Sequence, residues 1–312
     1  MKIIIYHYIR EYEEKFKYFR FLKFKNFKKQ LDYFDSKSKF VTKDQFKKII
    51  KKEIKPPKNS ILLTFDDGFI DHYKYAYKEL KKRNIFGIFF VSVAPLEKKL
   101  FLNVHKIHLL IGKIKGKILL NQLNSIIKPK MIDKNGFKEF ETKTYSFQNE
   151  HKSVINFKRM LNYFINNKYK GKILDQLLNI NKIKMKVRDF YLSINHIKEM
   201  NNNGMLIGSH TFSHEVLSKL SPKKQGQEIS SSIKFLSKKV GINNFITFCF
   251  PYGEKFTYNK STLKILKKYN IKASFIVDSR KVDHRSFLFD NLEIPRYDCN
   301  EFPYGKISKI KY

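Results

Sequence analysis

The stretch Ile61-Leu62-Leu63-Thr64-Phe65-Asp66-Asp67-Gly68-Phe69 decides how the rest of this 312-residue chain is read. Its first five residues form a short, almost wholly apolar run, which reads as a strand buried in a sheet. The run ends in two adjacent carboxylates. These repel each other, so they ask for a cation or a proton to share. Gly68 lets the backbone turn so that both side chains can face one point. An Asp-Gly pair equally suits an ordinary turn, so the stretch needs company before it means chemistry.

Working outward, 3–6 reads as another buried strand, and Phe24, Phe27, Leu31 and Phe34 recur at helical spacing. Thr42 and Gln45 form a capping-box start for a helix to about 52, and Pro56-Pro57 punctuates. A helix over 70–83 then leads to a strand at 88–91. The rhythm breaks over 97–190, where the pattern is helical or irregular. A helical apolar stripe covers 104–127, interrupted by Gly112 and Gly116, and further helices are predicted over 157–169 and 173–180. This block reads as a mainly helical insertion within one domain, 1–312. Alternation resumes with helices near 194–200, 222–240 and 258–269. Strands fall at 205–209, 246–250, 273–277 and 292–295. Strands alternating with helices predict an α/β fold with a parallel sheet or barrel.

Lys and Arg total 64 against 28 Asp and Glu, a net charge of +36, and only eight of the basic residues are Arg. The lysines are dispersed, and neither zinc-finger spacing nor an RNA-binding aromatic signature accompanies them. Dedicated nucleic-acid binding is therefore not expected, whereas weak adhesion to an anionic membrane surface is. Cys249 and Cys299 are the two cysteines, too few for a disulfide framework. The apolar run 85–95 is about half of what spans a bilayer. The opening MKIIIYHYIREYEEKF has too short an apolar stretch for a signal peptide. The expected location is cytoplasmic, peripherally at the inner membrane face. No protein partner is inferable.

Two more clusters follow predicted strands, where parallel α/β folds assemble their sites. Ser209-His210-Thr211-Phe212-Ser213-His214 carries two histidines four apart, which face the same way on a helical turn and suit joint metal binding. Phe250-Pro251-Tyr252-Gly253 holds no metal ligand, but such a turn can aim a backbone N–H at a developing oxyanion. His105 and His108, in the inserted block, share a helical face as a less favoured ligand pair.

Together, TFDDGF at 64–69, SHTFSH at 209–214 and FPYG at 250–253 resemble the NodB-like polysaccharide deacetylases, carbohydrate esterase family 4. The opening IIIYHYI and the late LEIPRYD are similar to the family's less specific elements. The resemblance implies a distorted (β/α)7 barrel and a divalent metal, most often Zn2+. It implies Asp67, His210 and His214 as metal ligands and Asp66 as the general base toward the attacking water. The Tyr252 N–H would serve the oxyanion, with Pro251 and Gly253 shaping that turn and Thr211 hydrogen-bonding near the histidine loop.

The chain departs from the family twice. Many members carry Arg two residues before the Pro of the third motif, where Cys249 stands here, and Arg296 is the candidate substitute. The family's C-terminal Leu-x-His is missing, so His7, after the first strand, is the candidate general acid. Similar long-insert members belong to bacterial surface-polysaccharide biosynthesis. The resemblance thus implies a metal-dependent hydrolase removing an N-acetyl or similar N-acyl group from an amino sugar that is nucleotide-linked, lipid-linked or part of an oligosaccharide. The alternatives are a deformylase of a lipid-linked formamido sugar and a catalytically silent sugar- or lipid-binding module.

Overall fold

A computed structural model of the chain describes residues 1–16, 19–133, 137–145, 150–283 and 291–306. Parts of the predicted insertion, 134–136 and 146–149, lie outside the described residues. The chain divides into two compact units. One comprises Met1–Tyr12, Phe21–Leu100 and Val187–Lys309, and the other Glu13–Arg20, Phe101–Lys186 and Ile310–Tyr312.

Among its described residues the first unit holds ten strands: β1 (Lys2–Tyr6), β2 (Ile9–Arg10), β3 (Leu22–Lys23), β4 (Lys39–Phe40), β5 (Ser60–Phe65), β6 (Gly87–Val91), β7 (Leu206–Ser209), β8 (Thr247–Cys249), β9 (Ala273–Phe275) and β10 (Tyr297–Asp298). Seven run parallel in the order β10-β1-β5-β6-β7-β8-β9, with β4 also pairing β5. Every residue of β5 and β6 is buried, as expected for strands covered on both faces. Phe65 and Phe89, paired across these strands, stack with ring centroids 4.5 Å apart. The crossovers from β1 through to β9 carry helices, among them Pro222–Val240 between β7 and β8, begun by the Ser221 cap and ended by Gly241 in the left-handed region.

The segment after β9 brings the two ends of the sheet together. Ser274 N–H donates to Asn291 O, Ile276 N–H to Ile294 O and Asp278 N–H to Arg296 O. The same segment continues into β10, which pairs β1 at Ile4↔Tyr297. This is a distorted (β/α)7 barrel. Its register lines up the strand ends, with Tyr6 beside Phe65, Val91 beside Ser209 and Ser209 beside Phe248. His7, Asp66, His210 and the residues after Cys249 therefore emerge at one rim.

Three local expectations are corrected. The helix over 70–83 is partly π-helical, at His72–Tyr77. The segment predicted as a strand at 292–295 makes only a single bridge, Phe275↔Ile294, before β10. The helix predicted over 157–169 breaks at Ile165, which is extended and bridges Ile132, and Asn166 caps a new helix at Asn167–Ile180. A cap that accepts the Lys168 N–H outweighed the apolar periodicity read through it. Within the second unit the described elements are helices, including Asn103–Lys113, Gly116–Ile126 and Lys152–Arg159. Among the described residues no helix is long and apolar enough to cross a membrane.

Candidate active site

Asp66 and Asp67 follow β5 directly, yet they do not face one point. Asp66 is buried and receives Arg296 on both oxygens, each N–O distance 2.8 Å. The guanidinium also donates to Thr64 Oγ1 at 3.1 Å and to Cys249 Sγ at 2.9 Å. It lies against the faces of Phe90 and Phe275, 5.7 and 5.9 Å from their ring centres, with no exposed surface. Burial alone would raise the Asp66 pKa; the Arg296 charge and hydrogen bonds outweigh it and hold it down to about 2. Asp66 is thus ionised across the working pH range, and it cannot rotate without breaking a bidentate pair.

Asp67 has a φ of 81° and Gly68 one of 69°. That left-handed turn swings the second carboxylate to the histidines, with Oδ1 3.3 Å from His210 Nε2 and 3.2 Å from His214 Nε2. A Cβ on Gly68 would also press on Val91 at 3.1 Å. All three ligand atoms lie within 4.8 Å of one another, and all three residues are buried.

The histidines do not sit on a helical turn. Residues 210–214 form a loop in which Thr211 (φ 63°) and His214 (φ 60°) are left-handed. A β-branched residue rarely adopts that conformation, so the loop is held by its surroundings. Thr211 Oγ1 accepts the His214 N–H at 3.0 Å, and Glu228 accepts the Phe212 N–H, the Ser213 N–H and the Ser213 hydroxyl. Ser92 Oγ donates to the His210 carbonyl. His210 Nδ1 lies 2.8 Å from the Cys249 carbonyl, which can only accept, so this nitrogen carries a proton.

The donor set fits a divalent cation. With Nδ1–H committed, a neutral His210 presents its Nε2 lone pair to the Asp67 oxygen, and a positive charge must lie between them. Metal–ligand bonds of about 2.0–2.1 Å in a tetrahedral site place ligand atoms about 3.3 Å apart, which is the spacing found here. Burial pulls both imidazoles down, but the Cys249 sulfur and the Asp67 carboxylate overcome it at His210, whose pKa stands well above the ordinary value. His214 remains below, because burial dominates there. A second group, Asp66, His210 and Cys249, also converges, but its carboxylate is already taken by Arg296.

The other predicted site residues are placed as follows. His7 is exposed, directly after β1. Its carbonyl accepts from Nε2 of the buried His72 at 2.8 Å. Tyr252 (φ 65°) and Gly253 (φ 72°) form the tight turn after Pro251, with the Tyr252 ring 5.1 Å from His214. A Cβ on Gly253 would meet Val277 at 2.5 Å, so this position requires glycine. His105 and His108 belong to no ligand group among the described residues; their rings pack 6.0 Å apart in the second unit. Sequence reading missed Glu228, His72 and the buried Arg10–Asp71 ion pair, 2.7 Å long. Only Asp71, one turn after Asp67 at the start of a helix, carried a signal, since acidic residues gather at helix starts.

Residues 53–274 match the polysaccharide deacetylase family. The chain belongs to this family, and it is accordingly a hydrolase of the carbohydrate N-deacetylase class. In fold it is similar to Streptococcus pyogenes deacetylase PplD in complex with acetate, at 18% identity and a TM-score of 0.58 over 96% of this chain and 91% of that one. It is also similar to IcaB from Ammonifex degensii (18%, TM-score 0.56, 95% and 90% covered) and to the BpsB deacetylase domain from Bordetella bronchiseptica (12%, 0.52, 96% and 95%). No curated protein matches the chain in sequence.

Proposed function

We propose that the protein is a metal-dependent N-deacetylase that removes an N-acetyl, or similar N-acyl, group from an amino sugar during surface-polysaccharide biosynthesis. The sugar would be nucleotide-linked, lipid-linked or part of an oligosaccharide. The observation that carries this reading is the separation of labour at one rim: Asp67, His210 and His214 converge on one point, while Asp66 is held ionised beside them.

Asp67, His210 and His214 would hold the ion, for which we assign Zn2+, since two imidazoles and a carboxylate with open positions are a zinc-hydrolase donor set. When bound, it supplies Lewis-acid polarisation of the acyl carbonyl and a more acidic water. Asp66 takes a proton from the attacking water, and Arg296 fixes the direction of its lone pairs. The Tyr252 N–H donates to the oxyanion that develops as water adds to the carbonyl carbon. As the C–N bond breaks, His7 delivers a proton to the departing amine, leaving acetate and a free sugar amine. Thr211, Pro251 and Gly253 keep the two loops in shape. The block 97–190 is an insertion in a single catalytic domain, 1–312, in this reading. The charge of +36 supports work at an anionic membrane face.

The test is elemental analysis of wild type and His210→Ala/His214→Ala, followed by amine release from N-acetylated and N-formylated amino sugars. About one zinc per wild-type chain, none in the variant, and amine release only by the former is the expected result. A wild type that stays empty after incubation with zinc overturns it. Preference for the formyl substrate would make it a deformylase with the same residues.

A further inference from the structure

Beside the histidine loop lies a groove of about 560 Å³, lined in part by Phe212 and Glu228. One wall is the helix Pro222–Val240, which presents Lys234 and Lys238 one turn apart and Lys239 beside them. Lys98, at the end of the short helix Ala94–Glu97, is on the other wall. The apolar part of the lining is Phe212 and Phe235. Two carboxylates, Glu97 and Glu228, face four lysines, and Glu228 already accepts three hydrogen bonds from the histidine loop.

We propose that this groove is a second ligand site, for a phosphate-bearing molecule whose apolar or ring portion rests on Phe212, and that its occupancy is coupled to the metal loop. The volume falls in the range of small-molecule sites, about 300–1,000 Å³. Four lysines lining one groove beside an apolar floor favour an anion with a non-polar body. The coupling follows from how Phe212 is held. Its N–H goes to Glu228 on one wall, and its carbonyl accepts the Ala94 N–H of the other wall at 2.7 Å and the Val93 N–H at 3.1 Å. An anion bridging Lys98 to Lys234 and Lys238 draws these two walls together on the residue midway between His210 and His214. The groove goes beyond the deacetylation reading and does not depend on it; its coupling rests on reading 210–214 as a metal loop.

The test uses zinc-loaded full-length protein at fixed salt. Inorganic phosphate and glycerol 3-phosphate are titrated by calorimetry, and phosphatidylglycerol vesicles, against phosphatidylcholine ones, by co-sedimentation. Lys234→Ala/Lys238→Ala is compared with Lys260→Ala/Lys264→Ala, which removes the same charge from another helix. The groove variant is expected to weaken binding about tenfold and the control less than about twofold. Ligand is also expected to slow amide exchange of Phe212 and Ser213 in wild type, by about fivefold or more. Groove-dependent binding of the small phosphates identifies a free phosphoester as the ligand; groove-dependent binding of vesicles alone identifies a lipid headgroup. Equal losses in both variants, or no binding of any probe, overturn the site. Unchanged exchange at Phe212 and Ser213 overturns the coupling.

Discussion

Asp66 and Asp67 are neighbours in sequence and opposites in surroundings. The first is closed into the barrel interior by a guanidinium that has no exposed surface, and the second is turned by a left-handed backbone toward two imidazoles. Side chains at the end of a strand alternate in direction, so adjacent carboxylates can be given different counter-charges without sharing one. One is compensated by the protein, and the other sits in a donor set that fits a divalent cation. A mechanism that needs both a base and a ligand can thus draw them from a single dipeptide.

The comparison breaks most visibly in paired amide substitutions. Asp67→Asn should lose the metal and all measurable activity. Asp66→Asn should keep about one zinc per chain while kcat falls by about 10²–10⁴, the usual contribution of a general base. Elemental analysis beside turnover separates the two, and identical behaviour would show that the carboxylates share one role.

Next in size is the counter-charge itself. Arg296→Met strands a buried carboxylate and is expected to cost about 3–5 kcal/mol in urea unfolding, most of it recovered in Arg296→Met/Asp66→Asn. A single variant as stable as wild type would mean that the pair is not closed from water.

The smallest effect sharpens the comparison at the His7 end of the site, where His72 bonds the His7 carbonyl. Burial pulls the His72 pKa from 6.5 to about 4. Between those values the unfolded chain binds a proton that the folded one does not, so stability falls as pH drops through the window, by up to about 3 kcal/mol. His72→Phe should flatten the slope between pH 4.5 and 7, and a slope that persists would assign it to other groups.

Much of the frame was legible because it is local. Apolar runs marked β1, β5 and β6, and the helix expected over 222–240 runs over those same residues. The three motifs were placed at one rim by counting strands. The histidine loop was misread because i, i+4 spacing is only a helical signal where the backbone is helical, and Thr211 and His214 are left-handed. Nothing local announces Glu228 as the acceptor for that loop, nor His72 as the donor to His7. Arg296 could be nominated only through the family resemblance, as the substitute for the Arg that Cys249 replaces, but its bidentate grip on Asp66 joins residues far apart in sequence and is a property of the closed barrel.

That grip has a consequence for biogenesis. Arg296 is 230 residues downstream of Asp66. At ribosomal speeds of about 5–20 residues per second, it follows roughly 10–50 s after the carboxylate it neutralises. Until the segment that closes the barrel docks, the nascent chain carries the Asp66 carboxylate without its partner, and the cost of burying it opposes premature compaction of the rim. The last part of the sheet to be synthesised is therefore also the part that brings the counter-charge to this rim.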